Sequence, residues 1–125
     1  MGLRKRTVVY IEDEPAVQRL VSFWLDDAGF RVLVAGDGAA GLELVRAQRP
    51  DLVVTDALMP VMTGDQLVEA LQADPGLRDI PIIMATAAAS PLRVKRMKAL
   101  GCRAVLPKPL DEVTFLAAVD EALAD

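Results

Sequence analysis

The chain has 125 residues, near the commonest size of a single domain, so one core and one domain over residues 1–125 are expected. Hydrophobic residues make up 53% of it, ample for a packed interior and too many for a disordered chain. A formal net charge of −4 gives no global reason for direct nucleic-acid binding, and the absence of histidine excludes His-based triads, His metal sites and a phosphohistidine carrier.

The basic start "MGLRKR" precedes an apolar stretch too short for a signal peptide, with no cleavage site after it. Gly2 raises the question of myristoylation, but Arg6 stands where that motif wants Ser or Thr. No apolar run approaches the roughly 20 residues that span a bilayer, so no membrane insertion and a cytoplasmic location are expected. The single Cys102 cannot form an internal disulfide, fits a reducing compartment and reads as a small packing residue.

Strand-like and helix-like stretches then alternate. "TVVYI" (residues 7–11) is β-branched and short, hence a strand. Pro15 suits the first turn of the helix that follows, with Val17, Leu20, Val21, Trp24 and Leu25 as its apolar stripe and Gly29 at its end. "RVLVA" (31–35) is the second strand, and "GAAGLELVRAQRP" a helix closed by Pro50. "LVVTD" (52–56) is the third strand; the helix "GDQLVEALQAD" after it is stopped by Pro75 and Gly76. "IPIIMAT" (80–86) is the fourth strand, followed by a helix with Ser90 as cap, Pro91 at its first position and Gly101 at its end. "RAVLP" (103–107) is a short fifth strand, and a last helix is predicted from about residue 110 to 124. Five strand-then-helix units predict an α/β fold, a doubly wound, flavodoxin-like (βα)5 arrangement whose five-stranded parallel sheet carries helices on both faces. Near-continuous apolar strands agree, because strands covered on both sides need no polar face.

In such sheets the site lies beyond the C-terminal ends of the strands. Glu12, Asp13 and Glu14 follow the first strand, Asp56 ends the third, Thr86 ends the fourth and Lys108 follows the fifth. Clustered carboxylates repel one another unless a positive charge holds them, and a hard divalent cation such as Mg²⁺ does so while leaving room for phosphate. Alone, Asp56 could cap a turn and Thr86 could be a β-branched strand residue. Glu14, at a helix start, reads as structural because a carboxylate gains there from the helix dipole.

"EDE" after the first strand, "DALMPVMTG" after the third, Thr86-Ala87 after the fourth and "PKP" after the fifth together resemble the receiver domain of two-component response regulators, over essentially the whole chain. The resemblance implies that Asp56 takes a phosphoryl group from a sensor histidine kinase or histidine phosphotransfer protein. It implies Mg²⁺ (or Mn²⁺) held by Glu12, Asp13, Asp56 and the backbone carbonyl of Leu58. Lys108 would contact a phosphoryl oxygen, and Thr86 with Ala87 would couple the chemistry to shape. Such a protein is not a turnover enzyme on a separate substrate. Pro60 and Gly64 are loop-shaping residues, and a cis Lys108–Pro109 bond is expected from the family.

One departure from the family pattern is Val105, where many receivers carry Tyr or Phe, so the usual relay to the output face is altered. Another is Leu58, an apolar residue expected at the mouth of the site. Arg93, Lys95, Arg96 and Lys98 on the fourth helix oppose Asp111, Glu112, Asp120 and Glu121 on the fifth. That region is the family's usual output or dimerisation surface, so a homodimer or a charged downstream partner there is an expectation. No output domain follows the last helix in these residues. Three rival functions meet these residues differently. A flavodoxin-like electron carrier wants a Ser/Thr/Gly-rich loop where "EDEP" stands. A haloacid-dehalogenase-type phosphatase wants a second Asp at position 58. The complete acidic set argues against a phosphorylation-independent receiver, although Val105 keeps that reading open.

Overall fold

The computed structural model describes residues 4–124, so Gly2 lies outside the described residues. Strands β1 (Thr7–Ile11), β2 (Arg31–Ala35), β3 (Leu52–Asp56), β4 (Ile82–Thr86) and β5 (Ala104–Pro107) alternate with helices α1 (Pro15–Asp27), α2 (Gly38–Gln48), α3 (Gly64–Ala73), α4 (Pro91–Leu100) and α5 (Glu112–Leu123). All strand pairs are parallel, in the order β2-β1-β3-β4-β5. The inner strands β1, β3 and β4 are buried at every residue, whereas the edges β2 and β5 are only partly covered.

Strand parity divides the core. Val9, Ile11, Val53 and Met84 face one way and meet Leu67, Val68, Leu71 and Met97 of α3 and α4. Val8, Tyr10, Val54 and Ile83 face the other way and meet Val21 and Leu25 of α1 with Phe115 and Val119 of α5. Cys102 belongs to the first cluster, and burial pushes its thiol up to about 11, with Asp65 adding to the rise and Arg93 opposing it. It is a packed, protonated thiol.

Helix starts follow their local chemistry. Pro15 occupies the first turn of α1. Asp37, Thr63 and Ser90 accept the amides of Ala40, Gln66 and Arg93, and Gln66 returns a bond to Thr63 to complete a capping box. Gly29 and Gly101 follow α1 and α4 at φ +97° and +120°, conformations that a Cβ makes unfavourable.

Three starts and one packing expectation are corrected, the smallest shift being that of β5, which begins at Ala104 and not at residue 103. β4 begins at Ile82 because Pro81, which has no N–H, accepts Val53 N–H only through its carbonyl at 3.0 Å. α5 begins at Glu112 because the Asp111 carboxylate takes the Thr114 amide at 2.9 Å and starts the helix there; this bond also holds the Asp111 carboxyl below the usual range. Leu20, read as part of the buried stripe of α1, is 51% exposed at its rim, while Val21 and Leu25 fill the middle.

Candidate functional site: an acidic pocket at the strand ends

β1 and β3 are neighbours, with Ile11 beside Thr55, so the chain leaving β1 and the tip of β3 meet at one end of the sheet. The strand order reverses about this pair, which opens a crevice at their C-terminal ends. Glu12, Asp13 and Asp56 converge there, each offering a carboxylate oxygen within 4.8 Å of the others. Glu12 and Asp56 are buried and Asp13 is exposed at the rim.

Lys108 supplies the opposing charge. Its ammonium donates to Glu12 Oε1 at 2.9 Å and to Asp56 Oδ2 at 3.0 Å. Burial alone would lower its pKa, but the two carboxylate bonds outweigh that and raise it. The Lys108 amide donates to the Thr86 carbonyl at 3.0 Å, which ties the loop after β5 to the end of β4. The Lys108–Pro109 peptide is cis, as the resemblance implied.

The remaining oxygens are also occupied. Asp56 Oδ1 accepts the Ala57 amide at 2.7 Å, and Glu12 Oε2 accepts the Glu14 amide at 3.1 Å. Glu14 itself is the exposed N-cap residue of α1, and its side chain makes no capping bond. Thr86 is buried, and its hydroxyl oxygen accepts the Ala88 amide at 3.1 Å. Ala87 is exposed in the loop beyond. Leu58 is 70% exposed at the mouth. Val105 does not form a surface: it is buried in the core cluster beneath α3 and α4, opposite Met84 in the ladder.

Two site residues were missed in the sequence. Tyr10 donates its phenol to Glu12 Oε1 at 3.5 Å, a long contact, from beneath the pocket. Burial raises the phenol's pKa, and the charges of Glu12 and Asp56 raise it further. The signal was the period of two, which puts residues 10 and 12 on the same side of an extended chain. Gln18 donates to the Glu12 carbonyl at 2.9 Å and fixes the turn into α1.

Beside the acidic crevice, Val17, Leu20, Trp24, Lys108, Pro109 and Leu110 line an apolar groove of about 360 Å³. The half-exposed Leu20 of α1 is part of its wall.

The family model of the response regulator receiver domain matches residues 8–120. The chain belongs to that family. As a receiver domain it is 32% identical to the chemotaxis response regulator CheY4 of Vibrio cholerae, with a TM-score of 0.90 over 96% of this chain and 100% of that one. It is 29% identical to the polar-differentiation response regulator DivK of Brucella anthropi, covering 96% of this chain and 98% of that protein. It is also 39% identical to part of the hybrid signal transduction histidine kinase D of Dictyostelium discoideum, covering 92% of this chain but only 7% of that protein's length. The receiver domain of the Pseudomonas aeruginosa sensor kinase PA1611, solved with magnesium in its active-site cleft, shares the fold at a TM-score of 0.88 and 24% identity over 98% of this chain and 100% of that one.

Receiver domains interact with histidine kinases and downstream effectors, and bind Mg²⁺ in their acidic pocket. The residues of this chain fit such an ion: three carboxylates each offer an oxygen within 4.8 Å of the others, and hard oxygen donors suit a hard cation. Among the described residues no helix is long and apolar enough to cross a membrane.

Proposed function

We propose that this receiver accepts a phosphoryl group on Asp56 from the phosphohistidine of a sensor histidine kinase or a histidine phosphotransfer protein, and switches conformation to control a partner. The observation that carries the reading is the Lys108 ammonium 3.0 Å from Asp56 Oδ2, inside a pocket walled by Glu12 and Asp13. An Asp56 oxygen forms the new O–P bond as the donor's N–P bond breaks, and the imidazole nitrogen keeps the bonding pair. Lys108 is positioned to neutralise a phosphoryl oxygen, which leaves placement and electrostatics as the protein's main contribution. Glu12, Asp13, Asp56 and the Leu58 carbonyl would hold Mg²⁺ or Mn²⁺. Such an ion supplies positive charge to phosphoryl oxygens in transfer.

The apolar groove next to Lys108 offers a docking surface beside Asp56, and its lining by Leu20 and Trp24 suits a helix that carries the donor histidine. The chain modifies itself once per donor and turns over no separate substrate. Thr86, whose hydroxyl now serves the Ala88 amide, exchanges that bond for the phosphoryl group and shifts Ala87 and its loop. Val105 then acts as core packing under α4, not as a swinging ring. For output, the exposed Lys95, Arg96 and Lys98 of α4 and Glu112, Asp120 and Glu121 of α5 support docking of a charged partner, or of a second copy.

Incubation with acetyl phosphate, with and without Mg²⁺, followed by intact mass spectrometry, tests the chemistry. One phosphoryl group is gained with Mg²⁺, and Asp56→Asn gains none. A folded, Mg²⁺-binding wild type that stays unmodified with both acetyl phosphate and a phosphorylated histidine donor sinks the reading.

A further inference from the structure

The side of the sheet away from β5 carries a second kind of recognition surface. β2 hydrogen-bonds to β1 alone among the described residues. The Arg31 amide donates to the Arg6 carbonyl at 2.9 Å, and the Ala35 carbonyl accepts from Glu12 at 3.0 Å. In a parallel ladder bonding alternates, so residues 31, 33 and 35 turn their peptide groups toward β1. Val32 and Val34 turn theirs outward, to the open edge. The register against β1 runs unbroken from Arg31 to Ala35, without a bulge, and no charge or proline stands between residues 32 and 35. Those are the devices by which proteins commonly protect an edge.

The flanking helix is just as unguarded. α1 and α2 both pack against β1 and β2, and among the described residues β2 has no strand neighbour on its outer side. On α1, Arg19, Ser22, Phe23 and Asp26 line a groove with Val34. Phe23 is 63% exposed and Val34 39% exposed, while Ser22 Oγ is buried with no hydrogen-bond partner. Arg19 and Asp26 are seven residues apart, about 10 Å and two turns, so they share a face with Phe23 between them. This face is self-complementary: run antiparallel against its own copy, it sets Arg19 opposite Asp26 and ring opposite ring.

We infer that β2 and the outer face of α1 form an isologous surface that pairs two copies of this chain. A two-fold axis normal to the sheet and passing by Leu33 sets β2 antiparallel to its copy. Val32 of each copy then exchanges both main-chain bonds with Val34 of the other, four bonds in all. The same axis keeps α1 on one face in both copies and gives Arg19 and Asp26 their partners. Because the paired strands run in opposite directions, the two Asp56 pockets open at opposite ends of a ten-stranded sheet. Each stays free for its own phosphodonor, and the pairing does not depend on phosphorylation.

Sedimentation equilibrium of the unphosphorylated full chain, in a concentration series into the high micromolar range, is the test. Wild type is expected to dimerise reversibly. Val34→Pro should stay monomeric with an unchanged thermal melt, since the amide it removes faces solvent and edge strands tolerate proline. Arg19→Asp should weaken the dimer at least about ten-fold, and adding Asp26→Arg to it should restore the dimer. The charge-reversal pair remains decisive if the proline variant fails to fold. A monomeric wild type overturns the inference. So does a dimer indifferent to these changes, which would place the contact on another face such as α4 and α5. A dimer that Arg19→Asp breaks and Asp26→Arg does not rescue overturns it as well.

Discussion

Lys108 holds two buried carboxylates with one ammonium, and the sign of its titration follows from that. Its pKa is raised in the folded chain by bonds to Glu12 and Asp56, against the opposing effect of burial. Its contribution to stability is therefore complete below the unfolded lysine value of about 10.4 and is lost as pH rises through the higher folded value. Denaturant unfolding between neutral and strongly alkaline pH should show this loss in wild type and a shallower one in Lys108→Met. An identical alkaline slope in the two proteins would mean that the ammonium contributes nothing. Tyr10 presents the opposite balance. At 3.5 Å its bond to Glu12 is at the edge of what counts as one, so its burial in the core outweighs its polar contact.

At the scale of elements, the loop from β3 to α3 is tightly constrained. Val61, 81% exposed, sits at φ +70°, a left-handed conformation that a β-branched side chain resists. Val61→Asn should raise stability by about 1 kcal/mol, because asparagine tolerates that region better, with the change read as a higher denaturation midpoint. Three residues on, Gly64 opens α3 where an added Cβ would run into the carbonyl oxygen of Asp56 and the α-carbon of Ala57. A methyl group there collides with backbone, which cannot rotate away. Gly64→Ala is thus expected to cost at least about 2 kcal/mol and to slow phosphoryl uptake by displacing Asp56. A mutant with wild-type stability and uptake would show that the loop yields. Between helices, Arg93 of α4 binds Asp65 of α3 at 2.7 Å, which removes one cation from the basic run expected to face α5. Sequence spacing lists the charges of a helix, whereas their partners depend on which helices pack together.

The whole molecule is a sheet between two apolar layers, and the α1–α5 layer can be probed directly. Phe115 is fully buried, with its ring centroid 6.3 Å from that of half-buried Trp24. Phe115→Ala should cost about 3–5 kcal/mol through lost burial and a residual cavity, and should alter the emission of the only tryptophan. A loss under 1 kcal/mol in urea unfolding would mean that α1 and α5 collapse into the space.

By itself, the amino-acid sequence determined the alternation of five strands and five helices, because period and punctuation are local properties of the chain. It also determined which residues stand at the strand ends, so Glu12, Asp13, Asp56, Thr86 and Lys108 were legible before any fold was drawn. Tertiary structure alone decided that the Lys108 ammonium reaches both Glu12 and Asp56, positions 96 and 52 residues away in the chain. It decided that Tyr10 and Gln18 brace the pocket, that Val105 is core, and that Leu20 lines a groove. It also decided that β2 ends the sheet with its edge open. These outcomes depend on strand order and layer packing, which bring distant residues within ångströms, and no local pattern encodes such distances.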